Sequence, residues 1–398
     1  MRLNIERNIL SARRSESGGL AAILLDAKES SLARQAISNW PFYRCTPLEE
    51  LPGLAEKIDI AKIYAKNESK REPLKSFKML GAVYALAAAV REQGFYDGRL
   101  EQIFDGTRQA ETPQSTNKNF KVVAATDGNH GTALAWASQI LGVGCAIYLP
   151  AGVSQGRERT IADYGATIVR IEGSYDDAVS RAYGDALRNG WTIIQDTAPA
   201  GFQQHCRNIM HGYTLLIDEA CRQLEPMRPS HVFVQAGVGG FAAAVGSYLW
   251  HRYGEEGPAL ITVESDQADC VFQSLKAGSR VAIPGPHNTM MGGIACGEVS
   301  EVAWPILRQL ADFAITIDDD WARRALQVCS SGLPGDPALE IGETGIAGLA
   351  ALLAIGGDKE AAAALAMDDE SVALAFVTEG ITDPETYRVF VGSGLGKS

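Results

Sequence analysis

The sequence predicts an α/β protein built on mostly parallel sheets, and three observations support this prediction. Short apolar runs, typical of strands covered on both faces, alternate with longer runs of helical period. The two kinds of run follow one another along most of the chain, which is the order of strand–helix–strand units. The length of 398 residues suggests two or three domains.

The elements can be assigned in chain order. Nine runs read as strands: 62–66, 121–125, 145–149, 167–171, 191–195, 231–235, 259–264, 313–317 and 372–377. Seven runs read as helices: 77–93, 131–141, 157–164, 176–188, 240–253, 321–330 and 346–354. Residues 93–119 are polar and contain several glycines, so we expect a surface insertion there.

Composition excludes several classes of function. The chain has 48 acidic and 36 basic residues and a formal charge of −12, which disfavours nucleic acid as a partner. The longest apolar stretch, 345–357, is too short for a membrane span. The seven cysteines are scattered without metal-ligand spacing. We therefore expect a cytoplasmic protein with no metal site and no membrane contact.

The first loop with candidate chemistry is Thr-Asp-Gly-Asn-His-Gly at 126–131, between a predicted strand and a predicted helix. Its glycines permit close backbone approach, and a helix start offers free N–H groups to an anion such as a carboxylate. A plain turn capped by Asp127 or Asn129 is the alternative.

The second loop is Gly-Val-Gly-Gly at 237–240, which reads G-x-G-x-x-A when extended to Ala242. This pattern is compatible with a dinucleotide fingerprint, in which Glu264 would bind a ribose. It is equally compatible with a set of backbone N–H groups that hold one phosphate at a helix N-terminus. A simple tight turn is the third possibility.

The third loop is Ser76-Phe77-Lys78, at the start of a strongly apolar helix. A positive charge is disfavoured at a helix N-terminus, and this favours the neutral amine that a Schiff-base lysine needs. A solvated helix end is the alternative.

Together and in this order, the loops resemble the pyridoxal-phosphate enzymes of the tryptophan synthase β-subunit fold, fold type II. Those enzymes carry S-x-K, then S-x-G-N-x-G, then a glycine-rich phosphate loop, then a Ser or Thr near the C-terminus. The matching positions here are 76–78, 126–131, 237–240 and Thr378.

Within that fold, the sequence is most similar to the diaminopropionate ammonia-lyase family. The similarity rests on Asp127, where dehydratases of the wider fold usually have a small residue, and on five further parts of the chain. These are 66–71 with 76–81, 194–198, 235–239, 342–345, and 378–380 with 382–383.

The resemblance implies two three-layer α/β domains. Residues 1–78 and 198–398 would form a large domain that binds the cofactor, and residues 79–197 would form a small mobile domain. Members of this fold are commonly homodimers, so a homodimer is expected by analogy.

The resemblance also implies roles for site residues. Lys78 would carry pyridoxal 5′-phosphate as a Schiff base, Phe77 would pack on its ring, and Asn129 would hydrogen-bond the ring hydroxyl. Thr378 would meet the pyridine nitrogen. The phosphate would be held by backbone N–H groups of Gly237, Val238, Gly239 and Gly240.

The implied substrate is the small amino acid 2,3-diaminopropionate, which would yield pyruvate and two ammonia. Lys78 and Asp127 would remove the Cα proton from the L- and D-isomers, respectively. The substrate would contact Thr126, Asp127, Asp196 and Glu343. Asp196 could instead be part of a strand-end turn, and Glu343 could cap the helix that follows it.

Four alternatives remain open. A serine or threonine dehydratase and a β-replacing synthase share the fold, but Asp127 argues against both. A nicotinamide-dependent (NAD) dehydrogenase would use the 237–242 pattern, but it would leave Lys78 and the 126–131 loop without a role. A catalytically silent amino-acid sensor would not need both Lys78 and Asp127. A disulfide between Cys270 and Cys296 is neither indicated nor excluded by the sequence.

Overall fold

The computed structural model of the protein describes residues 1–11, 19–94, 120–126, 128–198 and 202–392. Asp127 and nearly all of the predicted insertion at 93–119 lie outside the described residues. The described strands form two sheets, one of seven strands and one of four.

The seven-stranded sheet has the order β1-β10-β9-β8-β11-β3-β2. Its five inner strands are parallel, and the two edge strands β1 and β2 are antiparallel to their neighbours. The strands are β1 Leu3–Arg7, β2 Leu48–Glu50, β3 Lys62–Asn67, β8 His231–Gln235, β9 Ala259–Ser265, β10 Phe313–Ile317 and β11 Val372–Val377.

The four-stranded sheet has the order β6-β5-β4-β7 and is parallel throughout. Its strands come from one stretch of chain: β4 Lys121–Ala125, β5 Gly144–Pro150, β6 Thr167–Ile171 and β7 Thr192–Ile193. The larger sheet takes its strands from both sides of that stretch. The larger sheet thus corresponds to the expected discontinuous domain, and the smaller sheet to the expected inserted domain. The residue limits of the domains stay a prediction.

Helices surround both sheets. In the N-terminal part they are α1 Leu20–Ile23, α2 Ala27–Ser38, α3 Pro52–Ile58, α4 Lys78–Glu92, α5 Asn129–Leu141, α6 Gln155–Asp163 and α7 Tyr175–Asn189. Further along the chain they are α8 Gln203–Leu224, α9 Gly240–Tyr253, α10 Cys270–Ala277, α11 Trp304–Leu310, α12 Asp319–Ser331, α13 Ala347–Ile355, α14 Lys359–Ala364 and α15 Pro384–Gly392.

Each sheet is the middle of three layers, because alternate side chains of a strand enter different hydrophobic cores. In β8, Val232 and Val234 pack with α4, α8 and α9, whereas Phe233 packs with α3 and α13. In β4, Val122 packs with α5 and Val123 packs with α7. The predicted α/β class is confirmed.

All nine predicted strands and all seven predicted helices occur, the helices with ends within two residues of the prediction. The run at 191–195 is a strand only over Thr192–Ile193. The analysis of periodicity missed β1, β2 and eight of the helices that the structure describes, of which the longest is the 22-residue α8. Polar residues such as Asp218 and Glu219 interrupt the apolar pattern of α8, although they are buried. Each of them can be buried because it forms an ion pair.

A buried cluster of four charges holds the segment between β3 and α4. Lys66 Nζ lies 2.6 Å from Glu219 Oε2, and Arg71 contacts both Glu219 (3.0 Å) and Glu68 (2.8 Å). The four side chains are at most 4% exposed, and their charges balance. Since removal of one partner would leave an uncompensated buried charge, the cluster fixes the chain that leads to Lys78.

Helices α4 and α8 approach each other closely at two glycines. A β-carbon on Gly81 would lie 2.5 Å from Tyr213 Cε1, and one on Gly212 would lie 2.5 Å from the Leu80 carbonyl oxygen. The two glycines therefore set the distance between the helix that starts at Lys78 and its main neighbour. Within the described residues, no helix combines the length and apolar character needed to cross a bilayer.

We expect Gly81→Ala to lower the free energy of unfolding by about 1–3 kcal/mol, because the added methyl group overpacks the α4–α8 contact. Denaturant unfolding of the purified protein measures this change. The control is Gly184→Ala in α7, where the nearest atom to a new β-carbon is 3.4 Å away in the Arg188 side chain. There we expect a gain of roughly 0.5–1 kcal/mol, so equal losses at both positions would contradict the packing argument.

Candidate active site

The candidate site is a cleft beside the carboxyl ends of strands β8 and β11. The space within it measures about 640 Å³, part of which is open to solvent. The predicted residues at its wall are Phe77, Lys78, Asp196, Gly237, Val238, Gly239, Gly240 and Thr378. The other residues of the wall, to which the sequence analysis gave no role in the site, include Tyr175, Tyr213, Gln235 and Phe241.

An ion pair between Lys78 and Asp196 lies in this cleft. Lys78 is the first residue of α4, and its Nζ lies 2.6 Å from Asp196 Oδ2. Burial alone would raise the pKa of the Asp196 carboxyl, but Lys78 and His130 outweigh it and hold the pKa below its ordinary value. The carboxylate therefore stays ionised at every pH above that ordinary value, and it becomes protonated only on stronger acidification.

Two neutral side chains orient the Asp196 carboxylate. The Tyr175 hydroxyl donates to Asp196 Oδ1 at 2.9 Å, and Gln195 Nε2 donates to the same oxygen at 3.1 Å. Gln195 is itself held by β4, where its Oε1 accepts the N–H of Ala125 at 2.7 Å. Oδ1 is thus occupied by neutral donors, and Oδ2 is directed at the cation.

The glycine loop at 237–240 connects β8 to α9. Gly239 has φ 87°, a left-handed conformation that favours glycine. A β-carbon on Gly239 would lie 2.7 Å from Leu307 Cδ1, and one on Gly237 would lie 3.1 Å from Cys296 Sγ. The glycines therefore leave the backbone uncovered by side chains at the start of a 14-residue helix. The free N–H groups at such a helix start can hold a phosphate.

Glu264 cannot bind a ribose in the way a dinucleotide fingerprint requires. It is fully buried, and its carboxylate accepts the N–H groups of Val271 (2.8 Å) and Phe272 (2.7 Å). Burial raises the pKa of this carboxyl well above its ordinary value. Glu264 thus caps α10 and does not reach the cleft.

The apolar side of the cleft is formed by aromatic rings. The Phe77 ring centroid lies 4.7 Å from that of Tyr213 and 4.6 Å from that of Phe241. One buried polar atom of the wall, Gln235 Oε1, has no hydrogen-bond partner among the described residues. Such atoms commonly pair with a bound molecule, because a buried polar group without a partner is costly.

The loop at 126–131 lies next to the cleft, where it borders an adjacent cavity. Asn129 lines this cavity, and its side-chain amide donates to Glu379 Oε2. Thr126 is buried, and its Oγ1 accepts the N–H groups of Gly128 (3.0 Å) and Gly131 (3.2 Å). The structure thus places the side chain of Thr126 within its own loop.

Thr378 and Glu343 have different surroundings. Thr378 follows β11 directly, lines the cleft, and accepts the Phe77 N–H through its carbonyl oxygen at 3.1 Å. Glu343 is buried and pairs with Arg157, and it is Thr344, the next residue, that lines the cleft.

His130 and the cysteines complete the surroundings of the site. His130 Nε2 lies 2.7 Å from the carbonyl oxygen of Ile194, as expected for a structural residue. Cys270 and Cys296 are both buried free thiols, and Cys296 lines the cleft.

Comparison with known proteins identifies the family. Residues 40–377 match the family model described as "Pyridoxal-phosphate dependent enzyme". Diaminopropionate ammonia-lyase from Escherichia coli K12 is 37% identical over 382 residues, with 94% of each chain covered. The chain belongs to the diaminopropionate ammonia-lyase family of pyridoxal-phosphate dependent enzymes. The nicotinamide alternative is therefore wrong, in agreement with the capping role of Glu264.

Further comparisons support the same family assignment. The diaminopropionate ammonia-lyase of Salmonella typhimurium is 33% identical, with 96% of this chain and 97% of the relative covered. The crystal structure of the E. coli enzyme in complex with D-serine matches with a TM-score of 0.88 and 34% identity, covering 99% and 98% of the chains. A tomato threonine deaminase, 20% identical with a TM-score of 0.71 over 94% and 95% of the chains, shares the fold.

The residues of the cleft fit pyridoxal phosphate. Four features surround one space: the Lys78 amine, a glycine loop with no side chains over its backbone, the Tyr213 hydroxyl and the Gln235 side-chain oxygen. These groups supply what the cofactor requires: an amine to bind the carbonyl carbon, N–H groups for the phosphate and polar partners for the ring.

We expect Gly239→Ala to weaken pyridoxal-phosphate binding by at least ~10-fold, or about 1.4 kcal/mol, because the new methyl group would displace the loop from Leu307. Titration of the apoprotein, followed by absorbance, measures this. Gly254→Ala, at the other end of α9, is the matched control: its φ is 60°, and no atom lies within 4 Å of a β-carbon there. If both variants bind the cofactor like the wild type, the loop does not hold the phosphate.

Proposed function

We propose that this protein is a carbon–nitrogen lyase that uses pyridoxal phosphate to eliminate ammonia from 2,3-diaminopropionate, giving pyruvate and two ammonia. The names of its relatives support this substrate. The Lys78–Asp196 pair is the structural observation that supports it most directly.

Asp196 is suited to hold a second amine of a substrate. Its carboxylate accepts an ammonium group in the cleft, is oriented by Tyr175 and Gln195, and has a lowered pKa. A serine or threonine substrate offers a neutral hydroxyl at the corresponding position, which gains less from a buried carboxylate. A carboxylate also keeps the β-amine protonated, and a protonated amine is the better leaving group.

Other residues of the chain would bind and orient the reactants. Lys78 would hold the cofactor through its amine, residues 237–240 would hold the phosphate, and Phe77 would pack on the ring. Thr378 would meet the ring nitrogen, and Asn129 the ring hydroxyl. When bound, the cofactor withdraws electrons from the substrate Cα, so that the Cα proton can be removed and the β-substituent can depart.

The Asn129 proposal requires a change of partner. In the structure the Asn129 amide donates to Glu379, and it would have to turn towards the cleft to reach a ring hydroxyl. Thr126 and Glu343 are weaker candidates for substrate contact, because their side chains pair within the loop and with Arg157.

Two bases would act on the two isomers of the substrate. Lys78 would remove the Cα proton from the L-isomer, and Asp127 would remove it from the D-isomer. A small domain of residues 79–197 would close over the cleft and exclude water.

Two properties of the whole molecule remain proposals. All seven cysteines are free thiols, which supports a cytoplasmic location, where thiols stay reduced. A homodimer is proposed by analogy with the fold, and light scattering of the purified protein tests it.

Product analysis tests the function. Purified protein loaded with pyridoxal phosphate is given L- and D-2,3-diaminopropionate, serine and threonine, and pyruvate (2-oxobutanoate for threonine) and ammonia are measured. We expect rapid pyruvate formation from diaminopropionate, with two ammonia per pyruvate, and little product from the hydroxy amino acids.

The second candidate is a serine or threonine dehydratase, since a threonine dehydratase of E. coli is 25% identical over 75% of this chain. Product from serine or threonine alone would establish that candidate and refute ours. The variant Lys78→Ala should form no pyruvate from any of these substrates, which would exclude a contribution from a contaminating enzyme.

The two-base proposal predicts a selective effect of Asp127→Asn. Loss of this base should reduce kcat for the D-isomer by roughly 100-fold or more, while kcat for the L-isomer falls less. Steady-state kinetics with each pure isomer measures the ratio. An equal loss for both isomers would mean that Asp127 does not serve one face of the substrate.

A further inference from the structure

We propose that Arg157 is a positioning residue, which holds residues 128–131 against the segments 342–344 and 378–383 at the edge of the cleft. The effect that we expect on the two isomers rests on the proposed function. The contacts of Arg157 do not depend on it.

Arg157 extends from α6 between two glycines. A β-carbon on Gly128 would lie 3.0 Å from Arg157 Cδ, and one on Gly292 would lie 3.4 Å from Arg157 Nη1. The stem of the arginine thus packs on the 126–131 loop, and its guanidinium passes the loop that contains Gly292. Side chains at either position would meet the arginine.

The guanidinium contacts two buried carboxylates. Arg157 Nη2 pairs with Glu343 Oε1, and Nε lies 3.8 Å from Asp383 Oδ2. The Glu343 and Asp383 side chains are 2% and 1% exposed, and Ser154 donates a further hydrogen bond to Asp383. Because buried carboxylates need a cation, this arrangement fixes the guanidinium in place.

A second contact holds the same loop one residue further on. The Asn129 amide donates to Glu379 Oε2, and Glu379 Oε1 accepts the N–H of Thr344 at 3.0 Å. Thr344 follows Glu343, so the two contacts meet on one short segment. Arg157 packs on Gly128, the residue that follows Asp127 in the chain.

Arg157 packs directly on Gly128 of the loop, whereas it reaches the Lys78 segment only through residues 378–383, which pair with the backbone of residues 75–77. Lys78 stands on α4, which is held by α8 and the buried charge cluster described above. Loss of Arg157 should therefore impair the reaction that needs Asp127 more than the reaction that needs Lys78. A displacement of about 1 Å can cost a catalytic group roughly 100-fold in rate.

The principal variant is Arg157→Met, which keeps most of the stem and removes the charge. Its control is Arg159→Met on the same helix, since Arg159 is exposed and bonds to Gln155. Two readouts are taken on protein loaded with pyridoxal phosphate: kcat/KM for each isomer of diaminopropionate, and hydrogen–deuterium exchange of the amides at 128–132. We expect a loss at least ~10-fold larger for the D-isomer than for the L-isomer and faster exchange at 128–132. Arg159→Met should change neither.

The double variant Arg157→Met/Glu343→Gln separates the positioning role from the effect on stability. Arg157→Met leaves the buried carboxylates of Glu343 and Asp383 without this cation, and the second substitution removes one of those two charges. We expect it to recover part of the thermal stability that Arg157→Met loses, while the D-isomer stays impaired. Arg157→Lys keeps the positive charge but lacks the planar guanidinium, and it should recover only part of the activity that Arg157→Met loses. Full recovery of D-isomer turnover in the double variant would overturn the positioning role.

The two proposals fail in different ways. If Asp127→Asn shows no difference between isomers, the two-base proposal fails, and the exchange experiment alone decides the role of Arg157. Unchanged exchange at 128–132 in Arg157→Met would refute that role, whatever the isomer ratio.

Discussion

The contact on which the rest of the structure depends is the pair formed by Lys78 and Asp196. Lys78 follows β3 of the seven-stranded sheet, and Asp196 follows β7 of the four-stranded sheet. Their 2.6 Å contact lies where segments that follow strands of the two sheets meet. Because the glycine loop after β8 and Thr378 after β11 reach the same cleft, this junction is where a cofactor and an amino acid can meet.

Most of the interior can be understood as support for this junction. The buried charges around Glu219 hold the segment before Lys78, and Gly81 and Gly212 let α4 and α8 pack closely behind it. On the other side, Gln195 connects the Asp196 carboxylate to strand β4. The cleft is therefore positioned by regular elements, which favours precise placement of reacting groups.

The sequence predicted those parts of the site that occur as short motifs. Lys78 begins a strongly apolar helix, and the 237–240 loop and Asp196 each follow an apolar strand. Their places at the ends of elements could therefore be inferred from the apolar pattern, and their roles from the family resemblance. Tyr175 and Arg157 gave no such signal, because the partners Asp196 and Glu343 lie 21 and 186 residues away. For the same reason the sequence left Glu343 open between a substrate contact and a helix cap, and its pairing with Arg157 could not be inferred. Strands β1 and β2 escaped detection because short, half-exposed edge strands have a weak apolar pattern.

The most direct test of this account is the substrate preference of Asp196→Asn. Its kcat/KM is compared with that of the wild type for 2,3-diaminopropionate and for serine. If serine gives no pyruvate, its binding is measured by the absorbance of the cofactor. If Asp196 holds the second amine, kcat/KM for diaminopropionate should fall by roughly 10–100-fold, the value of a charge-assisted hydrogen bond, while serine is little affected. An equal loss for both would contradict the account, because Asp196 would then serve the site in general and not the second amine.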